Sequence, residues 1–116
     1  VISLHCPLTP ATRHILNGQA FGKMRRTPII VNVSRGGLVD TSALVEALDN
    51  GHVSAAALDV LEDEPVIDPA LLGRKNVLLT PHAAWRSKES EVEIRTRSTE
   101  ELVRMLNGEP PLNPAP

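Results

Sequence analysis

The sequence predicts an α/β fold built on a parallel sheet, and three observations lead there. Short β-branched runs alternate with segments of helical spacing in a strand-then-helix rhythm. One short helical segment separates one run from the next, which implies right-handed crossovers between parallel strands. Aromatic residues are nearly absent, with one Trp, one Phe and no Tyr among 116 residues. The core must therefore come from Val, Ile, Leu and Ala, a palette that suits a buried parallel sheet.

Each element has its own local cause. Val1-Ile2-Ser3-Leu4 reads as the end of a buried strand, stopped by Pro7. Leu8 to Thr12 reads as a turn, with Thr9 as a cap before Pro10 at a first helical position. Asn17 to Met24 is a short helix weakened by Gly18 and Gly22, with Lys23, Arg25 and Arg26 at its end, where cations suit the helix dipole. Pro28 to Val33 is the strongest strand, and its unbroken apolar run predicts that both faces are covered.

Ser34-Arg35-Gly36-Gly37 breaks that strand. Asp40 then caps a helix from Thr41 to Asp49, with Ala43, Leu44, Ala47 and Leu48 on one face and Asn50-Gly51 ending it. Val53 to Val60 is a small-residue strand that leads through Asp59 into an acidic loop, Glu62 to Pro69. Ala70 to Leu72 forms one helical turn, and Asn76 to Thr80 is a further strand closed by Pro81-His82. Ser87 to Asn107 is a long polar helix with a thin stripe of Val92, Thr96, Thr99, Val103 and Leu106, expected to pack on one side. Gly108 stops it, so residues 1–107 form the α/β part and 108–116 a proline-rich tail.

Composition narrows the function classes. The chain is 41% hydrophobic and 22% charged, as in ordinary globular proteins. Twelve basic and fourteen acidic residues leave a net charge of −2, so no basic field drives binding to nucleic acid. The near absence of aromatics argues against a base-stacking platform. Apolar runs are too short for a membrane span. A lone Cys6 excludes an internal disulfide and fits a reducing, cytoplasmic compartment. CxxC, HExxH and EF-hand patterns are absent, so no metal site is expected.

In open parallel sheets ligands sit at the carboxyl ends of the strands. Cys6, Arg35, Asp59 to Glu64 and His82 all fall there. Arg35 could grip a substrate carboxylate in a bidentate way, or be a surface cation in a glycine turn. His82 could be a general acid/base, or an exposed loop histidine. Glu64 could orient that imidazole, or be one solvated acid among several. Asp59 could accept a hydrogen bond from a ligand amide, or cap the following turn. Cys6 reads most simply as a small buried hydrophobe.

The order of four motifs carries a resemblance to a known family. They are Val1 through Thr12, Val31-Asn32-Val33-Ser34-Arg35-Gly36-Gly37-Leu38-Val39-Asp40, Ala56-Ala57-Leu58-Asp59-Val60 with Glu64-Pro65, and Leu79-Thr80-Pro81-His82-Ala83-Ala84-Trp85. Together they resemble the NAD-binding domain of the D-isomer-specific 2-hydroxyacid dehydrogenases. The resemblance implies a Rossmann-type domain and a reversible hydride transfer between a nicotinamide cofactor and a small 2-hydroxy or 2-oxo acid. It implies that Arg35 binds substrate, that His82 is the catalytic acid/base, and that Glu64 pairs with the histidine and keeps it protonated for reduction. Asp59 matches the residue that holds the nicotinamide carboxamide. Cys6, Pro7 and Thr12 match the adenosine side of the cofactor pocket, Val33 and Ser34 line the cofactor beside Arg35, and Ala83 and Ala84 lie near the nicotinamide. The cofactor is NAD, with NADP left open, and the parent protein is expected to be a homodimer.

The sequence departs from the family pattern in two places. Arg25-Arg26-Thr27-Pro28 stands where members carry a Lys-Pro-Gly type turn, a loop difference. No G-x-G-x-x-G phosphate loop is present, and the chain opens on Val1. The chain is therefore expected to be the C-terminal half of a cofactor domain, truncated at the front and inactive alone. The phrase His82-Ala83-Ala84-Trp85 is similar to glycerate or hydroxypyruvate reductases and also resembles the C-terminal-binding-protein co-repressors. The alternative function is thus an NAD-sensing transcriptional co-repressor. Formate dehydrogenases are expected to place Gln where Glu64 stands, which speaks against that branch.

Overall fold

A computed structural model describes residues 1–114; the last two residues of the predicted tail lie outside the described residues. The chain forms two compact units, one from Val1 to Ala84 and a second beginning at Trp85. The first contains strands β1 (Ile2–Leu4), β2 (Ile29–Asn32), β3 (Ala55–Leu58) and β4 (Val77–Leu79), with helices α1 (Gly18–Gly22) and α2 (Thr41–Asp49). The strands make one parallel sheet in the order β1-β2-β3-β4. The predicted α/β parallel sheet is therefore present, with strands shorter than the apolar runs that announced them.

Register explains where the core sits. Ile2, Ile30, Ala56 and Val77 stand side by side across the sheet, as do Leu4, Asn32, Leu58 and Leu79. Both rows share one face, because residues two apart on a strand point the same way. Against that face lie Phe21 of α1 and Leu44, Ala47 and Leu48 of α2, in one apolar cluster with Ile30 and Leu38. Phe21, the lone Phe of the chain, is 2% exposed.

The opposite face corrects an expectation. Ile29 is 42% exposed and Leu78 62%, so within this unit only one side of the sheet is covered. Strands laid down in sequential order send their crossovers over the same face, so α1 and α2 leave the other bare. A continuous apolar run reports that a strand is apolar on both sides, and not what covers each side.

Helix ends follow local chemistry. The Asp40 carboxylate accepts from Ala43 N at 3.0 Å and starts α2 where predicted. The Asn17 side chain accepts from Ala20 N at 3.0 Å, which makes Asn17 the cap of α1 and puts Gly18 and Gly22 at its two ends. Thr9 does not cap a helix: residues 10–14 form a turn, and the Thr12 hydroxyl accepts from Thr9 N at 2.7 Å. The acidic loop ends in a 3-10 turn, Pro69–Leu71, capped by Asp68.

In the second unit, α3 (Lys88–Leu106) begins with a reciprocal Ser87–Ser90 capping box and carries Glu89 and Glu91 in its first turn. None of its residues is buried, and Val92, Val103 and Leu106 are largely exposed, contrary to the expected one-sided packing. Two of the five stripe positions are threonines, Thr96 and Thr99, which leaves three apolar residues along it.

Truncating the buried aromatic gives a direct check of this core. Phe21→Ala should destabilise the first unit by about 3–5 kcal/mol, measured by urea unfolding of the chain. A loss below about 1 kcal/mol would mean that α1 does not close the sheet.

Candidate active site

Parallel strands bring all four carboxyl ends to one edge of the sheet, and the site assembles there. The turn after β2 is shaped from within the core. Asn32 is 1% exposed, donates through Nδ2 to the Arg35 carbonyl at 2.9 Å and accepts from Ser34 N at 3.1 Å. A buried amide satisfied at both ends fixes Ser34 and Arg35 as the chain leaves the sheet. The Arg35 side chain is exposed, and its Nη1 donates to the Ser34 carbonyl at 2.7 Å. Sequence reasoning passed over Asn32, although a lone amide in an otherwise β-branched run was a readable signal.

The histidine and its carboxylate meet as anticipated. His82 Nδ1 lies 2.7 Å from Glu64 Oε2. An ionised carboxylate only accepts, so Nδ1 carries the proton. The second oxygen, Oε1, accepts from Leu61 N at 2.7 Å. These hydrogen bonds, the one from His82 foremost, hold the Glu64 carboxyl below its ordinary range despite partial desolvation. With Asp59, the pair lines a cleft of about 400 Å³ that also includes Ile67, Leu79 and Pro81.

Asp59 caps the turn that closes β4. It is 5% exposed, and its Oδ1 accepts from the Thr80 hydroxyl and from Ala83 N at 3.0 Å. Its Oδ2 accepts from Ala84 N at 2.8 Å. Burial pushes this carboxyl up, but the Thr80 hydroxyl and the two amides outweigh it and hold it below the ordinary range. Asp59 also binds the turn through its backbone, since His82 N donates to the Asp59 carbonyl at 2.9 Å. His82 sits at φ +53°, a left-handed conformation that costs a non-glycine residue about 1–3 kcal/mol. Asp59 is thus the anchor that holds His82 in a strained turn.

The remaining predicted positions form two smaller contacts. Ser34 Oγ donates to the Cys6 carbonyl at 2.6 Å, joining the ends of β1 and β2. The Thr12 hydroxyl donates to the Pro7 carbonyl at 2.7 Å. Val33 lies past the end of β2 and is 40% exposed. Among the described residues, no group of three or more His, Cys, Asp or Glu side chains is placed to hold a metal ion.

Both carboxyls titrate lower folded than unfolded, so their contribution to stability is fully present above the unfolded value. It should be lost as pH falls below about 4. Glu64→Gln should flatten the dependence of urea stability on pH in that acid window; an unchanged slope would remove the ion pair from the account. Asp59→Asn should cost about 1–3 kcal/mol, because an NH2 group would face at least one backbone donor. Amide hydrogen exchange should then accelerate at Ala83 and Ala84.

Similarity to known proteins agrees with this geometry. Residues 1–84 match the family described as D-isomer specific 2-hydroxyacid dehydrogenase, NAD binding domain. The chain is 46% identical over 108 residues to a D-3-phosphoglycerate dehydrogenase of Methanocaldococcus jannaschii, covering 93% of this chain and 21% of that protein. It is 44% identical over 115 residues to a glyoxylate reductase of Aeropyrum pernix, covering 97% of this chain and 34% of that protein. Its fold superposes on a D-lactate dehydrogenase with NAD+ from Lactobacillus jensenii with a TM-score of 0.85 and 32% identity, over 99% of this chain and 39% of that one. The chain thus spans between about a fifth and two fifths of the length of these relatives. With the family matched over residues 1–84, and with the acid–histidine pair at the carboxyl edge of a parallel sheet, the chain belongs to the D-isomer specific 2-hydroxyacid dehydrogenases, in their NAD-binding domain.

Proposed function

We propose that this chain carries the acid/base half of an NAD-dependent D-2-hydroxyacid dehydrogenase acting on a small 2-hydroxy or 2-oxo acid. The observation that carries the reading is the His82–Glu64 hydrogen bond at the carboxyl edge of the sheet. Glu64 fixes the proton on Nδ1, which assigns Nε2 the exchange of a proton with the substrate oxygen. During reduction the imidazolium form gives its Nε2 proton to the carbonyl oxygen, and during oxidation the neutral form takes it back. Arg35, turned out of the sheet by Asn32, binds the substrate carboxylate and offsets negative charge developing on the carbonyl oxygen. Catalytic roles thus fall to Arg35, Glu64 and His82.

The residues present fit one side of a nicotinamide dinucleotide. Val33 offers an exposed apolar surface beside Arg35, and Ala83 and Ala84 keep the turn after β4 free of bulk. With three donors bound, the Asp59 carboxylate keeps one accepting position for a carboxamide. Ser34 lines the cofactor with Val33, and Cys6, Pro7 and Thr12 complete the surface toward the adenosine end. When bound, the nicotinamide supplies or takes up the hydride.

The relatives named above are dehydrogenases and a reductase, which favours the enzyme over the co-repressor reading. Among the described residues no helix is long and apolar enough to cross a membrane. Cytoplasmic location and a homodimeric gene product belong to the same proposal and are checked by fractionation and sedimentation.

The test is reduction of glyoxylate and hydroxypyruvate by the complete gene product, with NADH and NADPH compared. His82→Ala should lower kcat by about 10²–10⁴ while leaving NADH affinity largely unchanged. Equal loss of turnover and of NADH binding would instead make His82 structural. Arg35→Lys should raise KM for the acid, because an ammonium does not reproduce the bidentate fork.

A further inference from the structure

A second charged cluster lies behind the acid–histidine pair. Glu62 is two residues from Glu64, yet its side chain turns away to a different set of partners. Its side chain is 16% exposed. Oε1 accepts from Arg13 Nη2 at 3.0 Å and from His14 Nε2 at 2.5 Å. Oε2 meets Thr41 N at 3.4 Å and the Thr41 hydroxyl at 3.3 Å, at the first turn of α2. His14 Nδ1 lies 4.0 Å from Asp40, the cap of that helix. His14 itself sits at φ +51°, so the turn bears a strained conformation that presents the imidazole to Glu62. Burial pushes the Glu62 carboxyl up, but the hydrogen bonds from His14 and Thr41 outweigh it and keep it ionised below the ordinary range.

The backbone carrying this carboxylate is clamped from another direction. A Cβ at Gly36 would stand 1.9 Å from the Leu61 carbonyl oxygen, 2.0 Å from its carbon and 2.5 Å from Glu62 N. The turn that presents Arg35 therefore rests directly on the Leu61–Glu62 peptide. Leu61 N is in turn the donor to Glu64 Oε1. A continuous chain of contacts runs from Arg13, His14 and Thr41 through Glu62 to the Leu61 backbone, and on through Glu64 to His82.

We propose that Glu62 is a positioning residue for the acid–base pair: anchored by Arg13, His14 and Thr41, it fixes the Leu61–Glu62 backbone against Gly36 and so aims Glu64 at His82. It touches neither substrate nor cofactor. The proposal rests on the reading of His82 as acid/base, but its first test does not need turnover. A misplacement of about 1 Å in a reacting group can cost on the order of a hundredfold in rate, so a remote anchor of this kind has measurable leverage.

The experiment has two arms. In the 116-residue chain, side-chain carboxyl NMR follows the Glu64 titration in wild type, Glu62→Gln and Arg13→Met, alongside thermal unfolding. The expected result is a Glu64 midpoint that rises toward the ordinary value in both variants, further in Glu62→Gln. Arg13 is 57% exposed in its side chain, so Arg13→Met keeps the test decisive if Glu62→Gln fails to fold. A lowered Tm with an unmoved Glu64 midpoint would overturn the proposal, since Glu62 would then be a fold brace only. In the complete gene product, Glu62→Gln should lower kcat by about tenfold to a hundredfold with little change in KM for the acid; a change confined to KM would likewise overturn it. Absence of dehydrogenase activity in the wild-type gene product would sink the catalytic reading, and the NMR arm would still decide whether Glu62 sets Glu64.

Discussion

No side chain fits at Gly36, and the arrangement of the site depends on that constraint. The glycine lets the turn after β2 lie against the Leu61–Glu62 peptide after β3 at a distance that a methyl group would forbid. Two loops that are neighbours only because their strands are neighbours thereby become one surface. Arg35 stands on one side of this contact. On the other side, Leu61 N holds the carboxylate that holds the histidine. Arg35 and the Glu64–His82 pair share a backbone junction, although no side chain of one need touch the other.

Around this junction, two carboxylates hold the neighbouring turns. Asp59 secures Thr80, Ala83 and Ala84, and with them the left-handed His82. Glu62 secures the turn of His14, another non-glycine residue at positive φ. In each case a strained residue persists because charge-assisted hydrogen bonds over-determine its surroundings. Strain at a histidine costs stability, and it also holds the imidazole in one presentation.

Much of the architecture was legible in the sequence because its causes are local. Asp40 caps α2 through a contact three residues away, Asn50 and Gly51 end it, and Ser87 with Ser90 opens α3. Arg35, Glu64 and His82 were candidates from strand ends and family motifs, and Glu64 and His82 do meet. Other features were not readable. The bare face holding Ile29 and Leu78 depends on which side the crossovers take, and a β-branched run is the same whichever face is covered. The capping contacts of Asp59 depended on Thr80 and the amides after it, more than 20 positions away.

The sequence by itself determined the secondary-structure order, the parallel α/β class, the family and the types of chemistry available, because spacing, caps and motifs act over a few residues. Tertiary structure alone decided which acid serves which partner. Glu62, Asp63 and Glu64 are nearly indistinguishable as a string. The sheet brings His14, after β1, within reach of Glu62, after β3, across 48 positions, and His82, after β4, within reach of Glu64 across 18. Hydrogen bonds form only at contact distance, and sheet register, rather than sequence separation, sets those distances.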